Sequence, residues 1–138
     1  MVQFLEFVSN HPVLASMWVV TLVAIFFYHK KTSASSVAPQ EAVMLINRKS
    51  AVVVDVRDRK EFDSGHIVDS LNIPLGKLKQ RLNELIKHKK KPLIVVCKIG
   101  QHSGEAAKVL QEAGYEQVVR LSGGLSEWKA QSLPLVQG

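Results

Sequence analysis

The sequence has a single cysteine, Cys97, among its 138 residues. No intramolecular disulfide can therefore form, and a cysteine-rich zinc site is excluded. A lone free thiol is typical of a reducing compartment, which favours the cytosol. The chain also lacks an internal repeat, a glycine-rich phosphate loop and any His, Cys or carboxylate spacing suited to a metal. We expect neither a metal nor another cofactor.

Charge is absent from the segment that runs from Pro12 to Tyr28, "PVLASMWVVTLVAIFFY". At about 1.5 Å per helical residue this segment reaches roughly 25 Å, the lower end of what spans a bilayer core. Lys30 and Lys31 follow it directly, and no Lys or Arg precedes it. The positive-inside rule then places the N-terminus outside and the rest of the chain in the cytoplasm. We predict a short N-terminal segment (residues 1–11) and a single-pass transmembrane helix (residues 12–29).

Two alternatives for the apolar segment are less favoured. A cleaved signal peptide would use "SSVA" at residues 35–38, but signal peptides carry positive charge before the apolar run, where this chain has Glu6. A buried helix of the soluble domain would have to be surrounded on every side. The residues that follow are too few to wrap such a helix and also form their own core.

The remainder of the chain indicates a tether followed by one α/β domain. Residues 30–38 are small and polar, which predicts a short flexible tether, and residues 39–138 form the domain. Apolar strand-like runs alternate with helical patterns, which predicts a mostly parallel sheet in an α/β sandwich. The predicted strands are "AVVVDV", "SLNIPL", "PLIVVC" and "QVVRL", and the predicted helices are "PQEAVMLINRK", "RKEFDS", "GKLKQRLNELIKH", "GEAAKVLQEAG" and "GLSEWKAQ".

Cys97 lies at the carboxyl end of the third predicted strand, where sites form in such sheets. Residues 97–102 then make a tight loop before a helix, and the backbone N–H groups there favour a thiolate, the reactive form of cysteine. Gly100 lets the loop fold, while Lys98 and His102 add positive charge. A small buried hydrophobe that ends a strand remains the alternative for Cys97.

Three motifs in order resemble those of the rhodanese family: "VVVDVRDRKEFDSGHIVDSLNIP", "VVCKIGQHSGEAAKVL" and "VVRLSGGLSEWKAQSLPL". The similarity covers about residues 38–138. It implies a rhodanese-like three-layer sandwich and a sulfurtransferase in which Cys97 forms a persulfide and passes sulfane sulfur to a thiol, cyanide or a protein. Single-domain rhodaneses tethered by one N-terminal helix are known in Gram-negative bacteria. The resemblance therefore implies the bacterial inner membrane as the location.

The resemblance also assigns a substrate-binding loop, and this loop departs from the family pattern. Sulfur-transferring members have a six-residue loop, like residues 97–102, whereas related dual-specificity phosphatases have a longer one, so phosphatase activity is not expected. The family's two loop arginines are replaced by Lys98 and His102, so binding of the thiosulfate dianion should be weak. A small or protein-borne persulfide is then the expected donor. The loop residues are Cys97, Lys98, Ile99, Gly100, Gln101, His102 and Ser103.

Other polar residues are assigned supporting roles. We expect Asp55 to hydrogen-bond the loop backbone beneath Cys97 and Arg57 to pair with an acid such as Glu61. Asp58 and Glu61 have the spacing of a capping box. Framework positions are also predicted for His66, for a turn at Gly123 and Gly124, and for Trp128 in the core.

The net charge of +6 is concentrated in the run "GKLKQRLNELIKHKKK". A solvated face and attraction to an anionic inner leaflet explain it equally well. Nucleic acid is disfavoured, because no aromatic residue is interleaved with these lysines. Two functions remain: a membrane-tethered sulfurtransferase, or a catalytically weak binding or scaffold module recruited to a membrane protein complex.

Overall fold

The computed structural model describes residues 1–32 and 34–138, with the side chains of residues 30–32 left out. The chain forms two compact units. The first ends before Ala34, and the second is Ala34–Gly138.

The first unit consists of two helices, α1 (Val2–Asn10) and α2 (Pro12–Thr32). The residues Pro12–His29 are long and apolar enough to cross a membrane, judged by length and composition. Large apolar side chains along α2 are exposed, and the exposed fraction is 72% for Trp18 and 66% for Phe26. The prediction of an apolar helix at residues 12–29 is confirmed.

The second unit is built on a five-stranded sheet in which all neighbouring strands are parallel, in the order β1-β5-β4-β2-β3. The β-branched runs of the sequence form β2 and β4, which are buried within the sheet. The predicted mostly parallel α/β sheet is confirmed, although the second predicted strand is only two residues long. The strands are β1 (Ser35–Val37), β2 (Val52–Asp55), β3 (Leu71–Asn72), β4 (Leu93–Val96) and β5 (Val118–Leu121).

Helices on both faces of the sheet complete a three-layer sandwich. Successive residues of β4 point to opposite faces: Val95 packs in one core cluster with Leu110, and Val96 packs in the other with Trp128. Every residue of both clusters lies within Ala34–Gly138, so this unit has a complete core of its own. The helices are α3 (Pro39–Lys49), α4 (Arg59–Ser64), α5 (Ser103–Glu112) and α6 (Gly124–Ala130).

The predicted tether at residues 30–38 is wrong over Ser35–Val37. These residues pair with β5 as an edge strand, with Ser36 opposite Arg120. Val37 is 6% exposed and packs in the core cluster of Trp128, which explains why the segment is ordered against the sheet. Ser33, within the predicted tether, lies outside the described residues.

The single helix predicted over residues 76–88 is also wrong. The segment forms two 3-10 helices, Leu75–Lys77 and Leu82–His88. Leu78 and Leu85 have helical spacing, and both are fully buried against the sheet. The predicted apolar face is therefore buried, but Leu78 lies between the two helices, and backbone bonds such as Glu84 N–H to Arg81 O span three residues instead of four.

Candidate active site

Cys97 directly follows β4, the central strand, at the carboxyl edge of the sheet. Only 3% of its surface is exposed. Its side chain belongs to the core cluster below the sheet edge, yet the residue also lines an open cleft. Cys97 is therefore buried, as the alternative interpretation expects, and it also borders the open cleft, where the nucleophile interpretation stays a prediction.

The loop of residues 97–102 folds back over the sulfur. The backbone N–H of Gly100 donates to Sγ of Cys97 at 2.8 Å. Gly100 has a φ of +94°, a conformation that glycine adopts without strain. The hydroxyl of Ser103, the first residue of α5, donates to the carbonyl oxygen of Gly100 at 2.9 Å. This bond fixes the loop to the helix that follows it.

The loop itself contains further backbone hydrogen-bond donors. The N–H groups of Lys98, Ile99, Gln101 and His102 have no acceptor among the described residues. Consecutive unpaired N–H groups at the start of a helix attract negative charge. The loop can therefore hold an anion that forms on the outer side of Cys97.

The start of α6 supports the loop from behind. The N–H groups of Leu125 and Ser126 donate to the carbonyl oxygens of Cys97 and Lys98 at 2.9 and 3.0 Å, and the Ser126 hydroxyl also donates to Lys98. Gly124 has a φ of +59°, and a Cβ there would collide with the carbonyl oxygen of Cys97. The sequence assigned Gly124 to a turn, and its contact with the loop was missed because the two segments are distant in the chain.

The cleft above Cys97 has a volume of about 380 Å³. One wall is the loop, with Ile99 half exposed. The opposite wall comes from the segments after β2 and β3, and it mixes apolar side chains with two acids. The lining residues are Val56, Arg57, Asp58, Glu61, Pro74, Leu75, Gly76, Cys97, Lys98, Ile99, Gln101 and His102.

The two permanent cations that line the cleft are each matched by a carboxylate. Nζ of Lys98 lies 4.0 Å from Oε1 of Glu61, and both side chains are exposed. Arg57 is buried and forms a bidentate pair with Asp55, with a shortest distance of 2.7 Å. Asp58 adds a further negative charge to the lining. The cleft therefore offers a dianion no net positive side-chain charge.

Two predicted side-chain contacts are not formed, while the predicted pairing of Arg57 with an acid is formed with Asp55 instead of Glu61. Asp55 does not hydrogen-bond the loop: its carboxylate instead accepts from the side chain and the backbone N–H of Arg57. Arg57 pairs with Asp55, and its other hydrogen bond goes to Gly65 O at 2.7 Å. Asp58 precedes α4 without a side-chain capping bond. Asp58 and Glu61 line the cleft, a position that was missed from the sequence because their spacing fits a capping box.

His66 and Trp128 have the framework roles predicted for them. Nδ1 of His66 lies 2.7 Å from the carbonyl oxygen of Phe62, and the two rings stack. Because a carbonyl only accepts, Nδ1 carries the proton. The indole N–H of Trp128 donates to Pro134 O at 3.0 Å. Within the described ranges, no group of His, Cys, Asp and Glu is placed to hold a metal ion.

Residues 38–131 match the family described as Rhodanese-like domain. The uncharacterized protein YibN of Escherichia coli (strain K12) is 41% identical over 142 residues, which cover 100% of this chain and 99% of YibN. The thiosulfate sulfurtransferase GlpE of Coxiella burnetii (strain RSA 331) is 34% identical over 90 residues, 65% of this chain and 82% of GlpE. A crystal structure of a rhodanese-related protein from Thermoplasma volcanium has a TM-score of 0.66 at 30% identity, and the match covers 75% of this chain and 99% of that protein.

Proposed function

Because this chain belongs to the rhodanese-like family, we propose that it is a membrane-tethered sulfurtransferase that carries a persulfide on Cys97. It passes the outer sulfur to a thiol or protein acceptor. The observation that carries the proposal is the 2.8 Å contact between the Gly100 N–H and Sγ of Cys97, at the bottom of an open cleft.

The chemistry consists of two displacements at sulfur. The Cys97 thiolate attacks the outer sulfur of a donor persulfide, R–S–SH. A new S–S bond forms, the donor's S–S bond breaks, and R–S⁻ leaves with the electron pair. An acceptor thiolate then attacks the outer sulfur of the Cys97 persulfide and releases the Cys97 thiolate. No oxidant is consumed, and the covalent intermediate divides the transfer into two steps.

The loop supplies backbone hydrogen bonds at each step. The Gly100 N–H contacts the sulfur that gains and loses negative charge. The unpaired N–H groups of Lys98, Ile99, Gln101 and His102 are available to the outer sulfur once it is attached. Donors that are already oriented stabilise developing charge without reorganisation.

The charges of the cleft support a persulfide rather than thiosulfate as the donor. Lys98 and Arg57 are matched by Glu61 and Asp55, so the thiosulfate dianion meets hydrogen-bond donors but no surplus cation. A persulfide carries at most one charge at the reacting end and requires less compensation. The apolar side chains of Leu75, Pro74 and Ile99 suit an organic donor group.

The membrane part of the proposal rests on α2. Its residues Pro12–His29 are apolar and exposed, and lysines follow them. This pattern favours α2 as a span of the bacterial inner membrane, with Ala34–Gly138 in the cytoplasm. A free cysteine at the centre of the site agrees with a reducing compartment.

A second candidate is a rhodanese-like binding or scaffold module with little activity, recruited to a membrane protein complex. The observation that favours it is the charge balance of the cleft, in which the loop carries Lys98 and His102 where the family has arginines. This module would keep the cleft as a recognition site and would not need the thiol.

Intact-mass measurement of the domain separates the two candidates. The purified domain is incubated with thiosulfate and, separately, with a cysteine desulfurase that delivers a protein persulfide. We expect a gain of one sulfur from the desulfurase, little from thiosulfate, and none in Cys97→Ser. A folded domain that gains sulfur from neither donor would favour the binding module.

A further inference from the structure

All neighbouring strands of the sheet are parallel, so their starting residues share one edge, opposite to Cys97. In the sheet register Ser35 is level with Val119, which in turn pairs with Ile94. Ala34, the first residue of the domain, therefore lies at the edge where β4 begins. We call this side of the domain the entry edge.

Exposed cations collect at the entry edge. Helix α3 leads into β2 and ends with Arg48 and Lys49, and the second 3-10 helix leads into β4 through Lys87, Lys89, Lys90 and Lys91. All six side chains belong to exposed residues. Lys89 reaches across to the next loop, with Nζ 5.9 Å from the Tyr115 ring centre. These cations thus border neighbouring strand starts.

The acids in the segments that lead into the strands do not balance these cations. Glu112 and Glu116 flank the start of β5, and Asp69 precedes β3. Glu84 is paired with Arg81, and Glu41 lies in the first turn of α3, at the other end of that helix from Arg48 and Lys49. Burial and then the charges of Lys91 and Lys87 lower the pKa of His88, which agrees with a positive potential around this segment. Ile86, 63% exposed, adds an apolar side chain beside the lysines.

We propose that the entry edge, formed by Arg48, Lys49 and residues 87–91, is a docking surface for an anionic lipid bilayer. The proposal rests on the membrane tether of the proposed function, because only one residue separates the end of α2 at Thr32 from Ala34. The chain that leads from α2 therefore joins the domain at Ala34, which lies at the cationic entry edge. Each lysine near an anionic leaflet attracts it, and the attraction falls off within a Debye length.

Docking by this edge has a consequence for the active site. Cys97 follows β4 at the other end of the sheet, about 13 Å from the start of that strand at roughly 3.3 Å per residue. The cleft then opens away from the bilayer, toward soluble donors and acceptors. Nucleic acid is a poorer occupant, because Tyr115, the aromatic ring next to Lys89, is only 4% exposed and offers no stacking face.

Vesicle sedimentation of the isolated domain tests the surface. Residues 34–138 form a complete core, and the solved rhodanese-related protein from Thermoplasma volcanium is 99% covered by its match to this chain, so the domain should fold without α1 and α2. Binding is measured on neutral phosphatidylcholine vesicles and on vesicles with phosphatidylglycerol, at low and high salt. The test variant is Lys90→Glu with Lys91→Glu. The matched control, with the same charge change away from the entry edge, is Lys77→Glu with Lys79→Glu.

We expect binding to the anionic vesicles only, and weakening by salt. The Lys90/Lys91 variant should bind at least about 20-fold more weakly, from roughly a fivefold effect per lysine, while the control loses a few-fold. Equal losses in both variants, binding to neutral vesicles, or tighter binding to RNA oligomers would overturn the proposal. Sulfur loading from the desulfurase is measured on the same variants. Vesicle binding without sulfur loading would contradict the proposed sulfurtransferase function, and sulfur loading without vesicle binding would contradict the proposed lipid-docking surface.

Discussion

The backbone N–H of Gly100 lies 2.8 Å from Sγ of Cys97, so the side chain that we propose as the nucleophile is held by its own loop. The geometry depends on two glycines. Gly100 has a φ of +94°, and Gly124, with a φ of +59°, brings the start of α6 against the carbonyl oxygen of Cys97. The loop is thus positioned by backbone contacts that need glycine at two places: Gly100 for its positive φ, and Gly124 because a Cβ would not fit.

Alanine substitutions at three glycines should rank in a defined order. Gly100→Ala adds only the strain of a positive φ, about 1–2 kcal/mol, and should lower the Tm by roughly 4–10 °C. Gly124→Ala adds a collision with Cys97 O to that strain and should cost more. Gly76→Ala is the control, because nothing lies within 4 Å of its Cβ position. Thermal unfolding of the three variants measures the order, and a Gly124→Ala domain as stable as the control would contradict the assigned contact.

The buried pair of Asp55 and Arg57 should show strong coupling. Asp55→Asn leaves the Arg57 charge buried without a counter-ion, which should cost about 3–5 kcal/mol of unfolding free energy. The double variant Asp55→Asn with Arg57→Met removes both charges and should lose less than the sum of the two single variants, by 1 kcal/mol or more. Urea unfolding of wild type, Asp55→Asn, Arg57→Met and the double variant provides the cycle. Simple additivity would mean that the pair does not act as a unit.

The α/β architecture was predictable because its signals are local. The β-branched runs of β2 and β4 and the helical spacing in α3 and α5 each reside in a short stretch of chain. Cys97 was found in the same way, from a strand followed by a glycine-containing loop. The wrong predictions concern residues whose structure depends on contacts with distant parts of the chain. Ser35–Val37 is a strand only because β5 offers it an edge, and Asp55 turns to Arg57 because that guanidinium is buried beside it.

The acids Asp58 and Glu61 illustrate the same limit. Their spacing fits a helix cap, and nothing local distinguishes a cap from a cleft wall. Their actual position depends on how α4 follows β2, which lies next to β4, the strand that Cys97 follows. The charge balance of the cleft could therefore be read only from the three-dimensional arrangement.

His88 should make the stability of the domain depend on pH. Burial and the charges of Lys91 and Lys87 lower its pKa below the ordinary 6.5, and its buried Nδ1 has no hydrogen-bond partner among the described residues. The unfolded chain then binds more protons than the folded domain near and below pH 6.5, so this contribution to stability falls as the pH drops from 7 toward 5. Urea unfolding of wild type and His88→Gln across this range measures the effect. The variant should show a flatter dependence, and equal slopes would contradict the assignment.

Neutralising Glu61 should change donor preference. Glu61→Gln frees Lys98 from its partner 4.0 Å away and removes one negative charge from the cleft, so a dianion should bind better. The pair is exposed and screened, which limits the effect to about a two- to fivefold rise in kcat/KM for thiosulfate at low salt, shrinking as salt is added. Transfer from the desulfurase persulfide, which on our proposal needs no cation in the cleft, should change by less than about twofold. Glu116→Gln, an exposed acid at the entry edge, provides the matched control for net charge. Equal gains for both donors would argue against charge selection by Glu61, whereas a gain for thiosulfate alone would identify the Lys98–Glu61 pair as the feature that disfavours this dianion in the wild-type protein.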